Sequence, residues 1–329
     1  MEPLIDNYSR RIRYIRISVT DRCNFRCRYC MPSGVLQWLP HDSIMRYEEF
    51  LRIIYICAKR GVEKVRITGG EPLVRRGILG FLEQIGEIDN INDLSLTTNG
   101  VFLSSLAKDL KAAGIDRINI SLDTLDKDKF AYITRVDALD KVLSGIESAL
   151  NEGFSPVKIN VVAIKGFNDE EIPLFIRLAM DRPIEVRFIE LMPIGCAGRF
   201  GPSSVMESYE IKQIIERSFG EMEPIDSGLG PAQVFRLPGA RGKIGFISAL
   251  SDHSFCNRCN RIRLTANGHL RPCLLSDYEL DILGPIRKGI TDQALEELIE
   301  KGVMSKPISY RQSYNYNGRA ISLMNEIGG

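Results

Sequence analysis

Six of the eight cysteines in this 329-residue chain fall into two tight groups. Cys23, Cys27 and Cys30 follow C-x3-C-x2-C, and Cys256, Cys259 and Cys273 follow C-x2-C-x13-C. In a chain of this length such grouping is a metal pattern and not a disulfide framework. Thiolates at these spacings hold a soft metal, either zinc or an iron-sulfur cluster. A structural zinc site closes with four ligands, and no fourth Cys or His lies near the first group in sequence. His253 and His269 lie near the second group, where either could complete a zinc site. Three thiolates on a four-iron cluster leave one iron open to a ligand, which is a catalytic arrangement. Of the two remaining cysteines, Cys57 sits in an apolar helical stretch and reads as a small core residue. Cys196 lies in a Gly-rich turn and receives no role.

Other residues with chemical potential recur just past β-branched runs. Thr68-Gly69-Gly70-Glu71-Pro72 combines glycines, which let backbone approach a ligand closely, with a carboxylate suited to an ammonium. Arg261 and Arg263 are two residues apart, so on a strand both side chains share one face beside the second cysteine group. Paired guanidinium forks suit a triphosphate, against the blander reading of a solvated strand face. Arg16, Arg66 and Lys158 fall inside apolar runs, where an unpaired buried charge is expensive. An anionic ligand or a carboxylate must answer them.

The elements that position these residues alternate strand and helix every 25 to 35 residues or so, the rhythm of a parallel sheet. Strands are predicted at 14–20, 64–68, 93–97, 117–122, 157–164 and 184–190, with amphipathic helices at 47–60, 104–113 and 141–152. Chemistry-bearing residues recur after the C-terminal strand ends, at Thr20, Gly69 to Glu71, Thr97 to Asn99, Ser121, Asp123 and Met192. This favours an α/β fold built as an incomplete (βα)6 TIM-like barrel over a doubly wound sheet. The rhythm breaks near residue 195. A domain of residues 1–195 is therefore expected to carry the first cysteine group, and a smaller C-terminal α+β region, 196–329, the second. A helix at 209–218 and strands at 233–237 and 243–248 belong to the latter.

Composition excludes several classes. Lys plus Arg (43) nearly equals Asp plus Glu (42), so no global field grips a long nucleic acid. No apolar stretch reaches the roughly 20 residues of a membrane span, and the N-terminal residues lack a signal-peptide core; a cytoplasmic protein is expected.

Val19-Thr20-Asp21-Arg22-Cys23-Asn24-Phe25-Arg26-Cys27-Arg28-Tyr29-Cys30-Met31-Pro32 resembles the signature of the radical S-adenosylmethionine (SAM) enzymes, with Tyr29 as the aromatic residue before the third cysteine. The resemblance implies a [4Fe-4S] cluster whose fourth iron is chelated by the amino and carboxylate groups of SAM. The Gly-Gly-Glu-Pro run resembles the motif that receives the methionyl ammonium. Phe255 to Thr265, followed by Gly268 to Leu274, resembles the GTP 3′,8-cyclases of molybdenum-cofactor biosynthesis, the MoaA family, as does the terminal Gly328-Gly329. The match runs from about Asp6 onward; Tyr8-Ser9, where that family more often has an aromatic followed by Gly, is a minor departure.

By that resemblance the chain carries two [4Fe-4S] clusters, held by Cys23, Cys27, Cys30 and by Cys256, Cys259, Cys273. Tyr29, Gly70, Glu71, Ser121 and Met192 fall on SAM-contacting positions. Arg16, Arg66, Thr97, Lys158, Arg261 and Arg263 fall on GTP-contacting ones, and Arg261 and Arg263 are also assigned a catalytic role. The implied reaction takes hydrogen from ribose C3′ of GTP with a 5′-deoxyadenosyl radical and closes the nucleotide radical on guanine C8. It implies an external electron donor and transfer of product to cyclic pyranopterin monophosphate synthase, with a homodimer as one assembly open to it. Three rival readings remain at this level: a peptide-modifying radical SAM maturase, which would need more cysteines downstream; a two-cluster electron carrier, which would not need this scaffold; and a zinc-stabilised nucleotide-binding module.

Overall fold

The computed structural model describes residues 2–32, 34, 38–226, 228, 230–313 and 323–328. Six strands, β1 (Tyr14–Ser18), β2 (Lys64–Thr68), β3 (Asp93–Thr98), β4 (Arg117–Ser121), β5 (Val157–Ala163) and β6 (Ile184–Glu190), pair in parallel and in chain order. Consecutive order without a reversal is the barrel arrangement; a doubly wound sheet would switch direction midway. Helices α1 (Tyr47–Lys59), α2 (Ile78–Gly86), α3 (Leu103–Ala112), α4 (Lys127–Thr134), α5 (Leu139–Asn151) and α6 (Ile172–Asp181) provide the connections. Isoleucine, valine and leucine from the outer strand faces meet the apolar helix stripes in one continuous core that includes Ile15, Ile67, Leu96, Ile120, Ile159 and Val186. Cys57 lies in that core, fully buried, as its apolar surroundings predicted.

Past residue 195 the chain does not form a separate layer. It returns to both edges of the same sheet. After α7 (Ser208–Phe219), strands β7 (Glu223–Ile225), β8 (Gln233–Arg236) and β9 (Lys243–Ile247) form a meander whose last strand joins β6 in parallel. Strand β10 (Arg261–Leu264) joins β1 in parallel, followed by antiparallel β11 (His269–Arg271) and β12 (Leu280–Asp281). The resulting sheet has twelve strands in the order β12-β11-β10-β1-β2-β3-β4-β5-β6-β9-β8-β7, with β12 and β7 as free ends. It is an open, incomplete barrel. Helices α8 (Leu283–Arg287), α9 (Asp292–Met304) and α10 (Tyr310–Ser313) follow, and α11 (Met324–Ile327) ends the described chain. The Thr291 hydroxyl accepts from the Ala294 amide and caps α9, which packs Leu295, Ile299 and Val303 into the core.

The sequence-based boundaries hold to within one or two residues for the barrel strands. Helices α2, α4, α6 and α8 to α11 and the short strands β7, β11 and β12 were not placed from sequence. Gly329 lies outside the described residues.

Candidate active site

Both cysteine groups line one cavity of about 300 Å³, within the range of small-molecule sites. All six cysteines reach its wall, and no histidine does. His253 is exposed, and His269 sits on β11 away from the cavity, so neither stands as a fourth ligand.

The first triad occupies the loop after β1. The amides of Cys30 and Met31 both donate to the Cys27 carbonyl, at 3.0 and 2.9 Å, a tight turn that carries Cys27 and Cys30 to one side. Two further bonds, from Arg26 N to Thr134 O and Arg28 N to Ile133 O, tie the loop to the end of α4. The glycine loop after β2 closes it from the other flank: Gly70 N donates to Thr20 O at 2.7 Å and Glu71 N to Arg22 O at 2.8 Å. Neither Gly69 nor Gly70 has a positive φ. Close approach is what they supply, since a Cβ on Gly69 would lie 2.8 Å from the Thr20 carbonyl oxygen. The Tyr29 hydroxyl donates to Asp123 Oδ2 at 2.6 Å, which fixes the ring beside Cys30.

Glu71 departs from its expected role. Its carboxylate is fully buried and absent from the cavity wall. It accepts from Leu73 N (3.1 Å), Thr98 Oγ1 (2.8 Å) and Asn99 N (2.7 Å), so both oxygens are committed to holding the loop. Burial raises its pKa to about 7 in spite of these bonds. Gly69 and Gly70, by contrast, do line the cavity.

The second triad is assembled by the β10–β11 hairpin. Arg263 pairs with Arg271, so two positions further along Cys273 faces Arg261, itself two residues after Cys259. The Cys259 amide donates to the Cys256 carbonyl at 3.1 Å, and Arg10 Nη1 holds that carbonyl at 2.9 Å. The thiols differ electrically from one position to the next, burial raising Cys273 of the second group. Burial would raise the Cys259 thiol, yet the Lys306 ammonium and the Arg261 guanidinium bring it down to about 5. Cys23 is pushed the other way, to about 12, by burial and by Glu71.

Between the triads lies a field of cations arranged by strand register. Arg263 on β10 pairs with Arg16 on β1, which pairs with Arg66 on β2. Neighbouring strands are about 4.8 Å apart, so three guanidinium groups stand side by side. A second row runs Thr97, Asn119, Lys158 and Glu185, and a third runs Ser121, Asn160 and Arg187. Burial, with Arg66 and Arg261 adding to it against the pull of Tyr14, lowers Arg16 to about 10. Lys158, 8% exposed, is brought to about 7 by burial and Arg187, with Glu185 opposing at 3.5 Å. Glu185 pairs with both Lys158 and Arg187, and a further anion would stabilise the guanidinium row of Arg263, Arg16 and Arg66. Buried Thr97 Oγ1 and Asn160 Oδ1 lack hydrogen-bond partners among the described residues, and both residues line the cavity. A polar ligand would satisfy them.

Of the residues singled out from sequence, Arg16, Tyr29, Arg66, Gly70, Thr97, Ser121, Met192, Arg261 and Arg263 line the cavity. Lys158 sits beneath it, paired with Glu185. Arg187 lines the wall but was missed, although Glu185 and Arg187, two charges at strand period in an otherwise apolar run, were a legible signal. Lys306, also on the wall, had no local signal. Gly328 reaches the barrel interior, where its carbonyl accepts from Arg263 Nη1 at 2.7 Å and its φ is 75°. A Cβ there would collide with Thr68 Oγ1 and Ser18.

An open parallel barrel with a three-cysteine loop after its first strand and a glycine loop after its second defines a radical SAM enzyme. Residues 17–179 match the family described as the Radical SAM superfamily, and residues 184–312 match Molybdenum Cofactor Synthesis C. Among solved structures, Streptococcus suis SuiB bound to S-adenosylmethionine shares the fold, with a TM-score of 0.56 at 16% identity over 83% of this chain and 61% of that one. The "GTP 3',8-cyclase" of Heliobacterium modesticaldum is 48% identical over 99% of this chain and 100% of its own length. That of Moorella thermoacetica is 47% identical over 98% and 99%. The chain belongs to the GTP 3′,8-cyclase family of radical SAM enzymes.

Proposed function

We infer that this chain is a GTP 3′,8-cyclase that converts GTP to 3′,8-cyclo-7,8-dihydro-GTP, the first step of molybdenum-cofactor biosynthesis. The observation that carries the reading is the single cavity onto which both cysteine triads and the rows of cations open. The donor sets fit two [4Fe-4S] clusters, since each triad supplies three thiols and the cavity wall offers no histidine as a fourth ligand. Cys23, Cys27 and Cys30 would hold the first cluster, which with SAM would supply the radical chemistry that removes hydrogen from a ribose carbon.

The protein's own residues do the positioning. In this proposal Tyr29, the Gly70 backbone, Ser121 and Met192 hold SAM beside the first triad, and Asp123 fixes the Tyr29 ring. Arg16, Arg66, Lys158, Arg261 and Arg263, joined by Arg187, receive the triphosphate, while Thr97 takes a polar group of the nucleotide. Residues 1–195 supply the radical-generating half and residues 196–329 the substrate-side half. No helix among the described residues is long and apolar enough to cross a membrane. The reaction would run in the cytoplasm with an external electron donor, and its product would pass to cyclic pyranopterin monophosphate synthase.

Anaerobically reconstituted protein given SAM, dithionite and GTP should form 5′-deoxyadenosine and a cyclised nucleotide together. Formation of 5′-deoxyadenosine with GTP recovered intact would contradict the reading. Arg261→Ala and Arg263→Ala should each weaken GTP binding by roughly 1.5 to 3 kcal/mol, as expected for lost charge-assisted hydrogen bonds. Equilibrium dialysis showing unchanged affinity in both would remove these side chains from the triphosphate site.

Lys158 gives GTP binding a pH dependence. Its pKa in the free protein is lowered to about 7, so the ammonium is present below that pH and lost above it. The triphosphate favours the charged form, so affinity should fall as pH rises from about 6.5 to 8.5, by well under tenfold per unit because Lys158 lies off the cavity wall and is shared with Glu185. Lys158→Arg, which keeps its charge, should flatten this part of the profile. An identical slope in both proteins would assign the dependence to another group.

A further inference from the structure

We propose that Lys306 is a fixed counter-charge for the cluster held by Cys256, Cys259 and Cys273, favouring its reduced state and setting it at a higher reduction potential than the SAM-side cluster. The inference rests on the two-cluster reading above.

Lys306 follows α9 and is 3% exposed. Its Nζ donates to Arg261 O at 2.8 Å and to Pro272 O at 2.5 Å. Pro272 immediately precedes Cys273, and Arg261 is two residues past Cys259, so the ammonium is held by the backbone that carries the triad. No carboxylate pairs with it among the described residues. Most other buried cations differ in this respect: Arg10 has Asp6, Lys158 has Glu185 and Arg60 has Glu296, while Arg66 belongs to the cation row of the cavity and has no carboxylate partner among the described residues. An ammonium buried with only carbonyl partners costs several kcal/mol unless negative charge stands close by. The triad supplies it, since the Lys306 ammonium lies close enough to act on the thiols of both Cys259 and Cys273.

The charge count gives the direction. Three thiolates on a 2+ cluster core carry a net charge of −1, and one added electron makes it −2, with no proton or bond exchanged. A fixed positive charge stabilises the second state more than the first. The first triad has the Glu71 and Asp123 carboxyl groups as neighbours, with Arg26 as the opposing cation at Cys23. The two clusters are thereby held apart in potential by protein charge.

The test is a potentiometric titration of the reconstituted full chain followed by electron paramagnetic resonance. The couple missing from Cys273→Ala identifies the C-terminal cluster. Lys306→Met should shift that couple to lower potential by at least a tenfold change in the oxidised-to-reduced ratio, 59 mV for one electron, and leave the SAM-side couple in place. Lys306→Gln, which can still donate to both carbonyls but carries no charge, should shift it in the same direction and provides the reading if the methionine variant does not hold its cluster. A Gln variant with wild-type potentials would overturn the proposal in favour of a purely hydrogen-bonding role, as would equal shifts of both couples. Wild-type protein with about four irons instead of about eight would overturn the two-cluster reading itself, independently of Lys306.

Discussion

Cys273→Ala should leave SAM cleavage in place and abolish nucleotide cyclisation. The reason is the division of the cavity wall: Cys23, Cys27 and Cys30 are anchored by α4 and by the glycine loop, while Cys273 belongs to the β10–β11 hairpin on the other side. Losing one of three thiolates removes a ligand of the substrate-side cluster without touching the SAM-side loop. Changes to groups that merely support a metal site typically cost 10- to 100-fold in activity, and loss of a ligand itself should cost on the order of a hundredfold or more. Iron should fall from about eight to about four per chain, with 5′-deoxyadenosine still formed. Full cyclisation by this variant would remove the second triad from the mechanism.

Gly70→Ala should do the reverse and disable the SAM side. A Cβ at position 70 would lie 2.5 Å from Arg22 O, 2.6 Å from Asp21 O and 2.7 Å from Arg22 C. These are backbone atoms, so no side-chain rotation relieves the contact. Relief of the contact moves the cluster loop and with it breaks the bonds from Gly70 N to Thr20 O and Glu71 N to Arg22 O. Overpacking at about 1 to 3 kcal/mol, plus two hydrogen bonds at about 1 kcal/mol each, gives a cost of roughly 3 to 5 kcal/mol. Concentrated at the SAM site, that is more than a hundredfold in SAM affinity. Gly80→Ala is the control: it lies within α2 with no atom within 4 Å of the added Cβ, so SAM binding should be unchanged. Wild-type affinity in Gly70→Ala would show that the two loops are not rigidly coupled.

How much of this was legible in the sequence depended on whether the signal was local. The six parallel strands, both triads and the facing pair Arg261 and Arg263 follow from spacing and period alone, and the structure brings them to one cavity. The burial of Cys57 followed from its apolar neighbours. What sequence could not supply were contacts made by distant segments. Glu71 reads as a ligand for an ammonium because it stands beside two glycines, but Thr98 and Asn99, a strand away, capture its carboxylate. Lys306 is one lysine in the C-terminal region of the chain until β10 and the segment after β11 present two carbonyls to it. Likewise, the glycine-rich linkers after residue 195 suggested a separate smaller region. Only strand pairing reveals that β9 and β10 extend opposite edges of the barrel sheet.

The most direct test of the central claim is an experimental structure of the anaerobically reconstituted protein with SAM and GTP. It should contain two four-iron clusters, each with three cysteine ligands and one iron without a protein ligand, facing one another across a single cavity. SAM should chelate the open iron at Cys23, Cys27 and Cys30, with GTP lying toward the other cluster among Arg16, Arg66, Arg261 and Arg263. A fourth protein ligand on either triad, zinc in place of a cluster, or two clusters opening into separate spaces would contradict it.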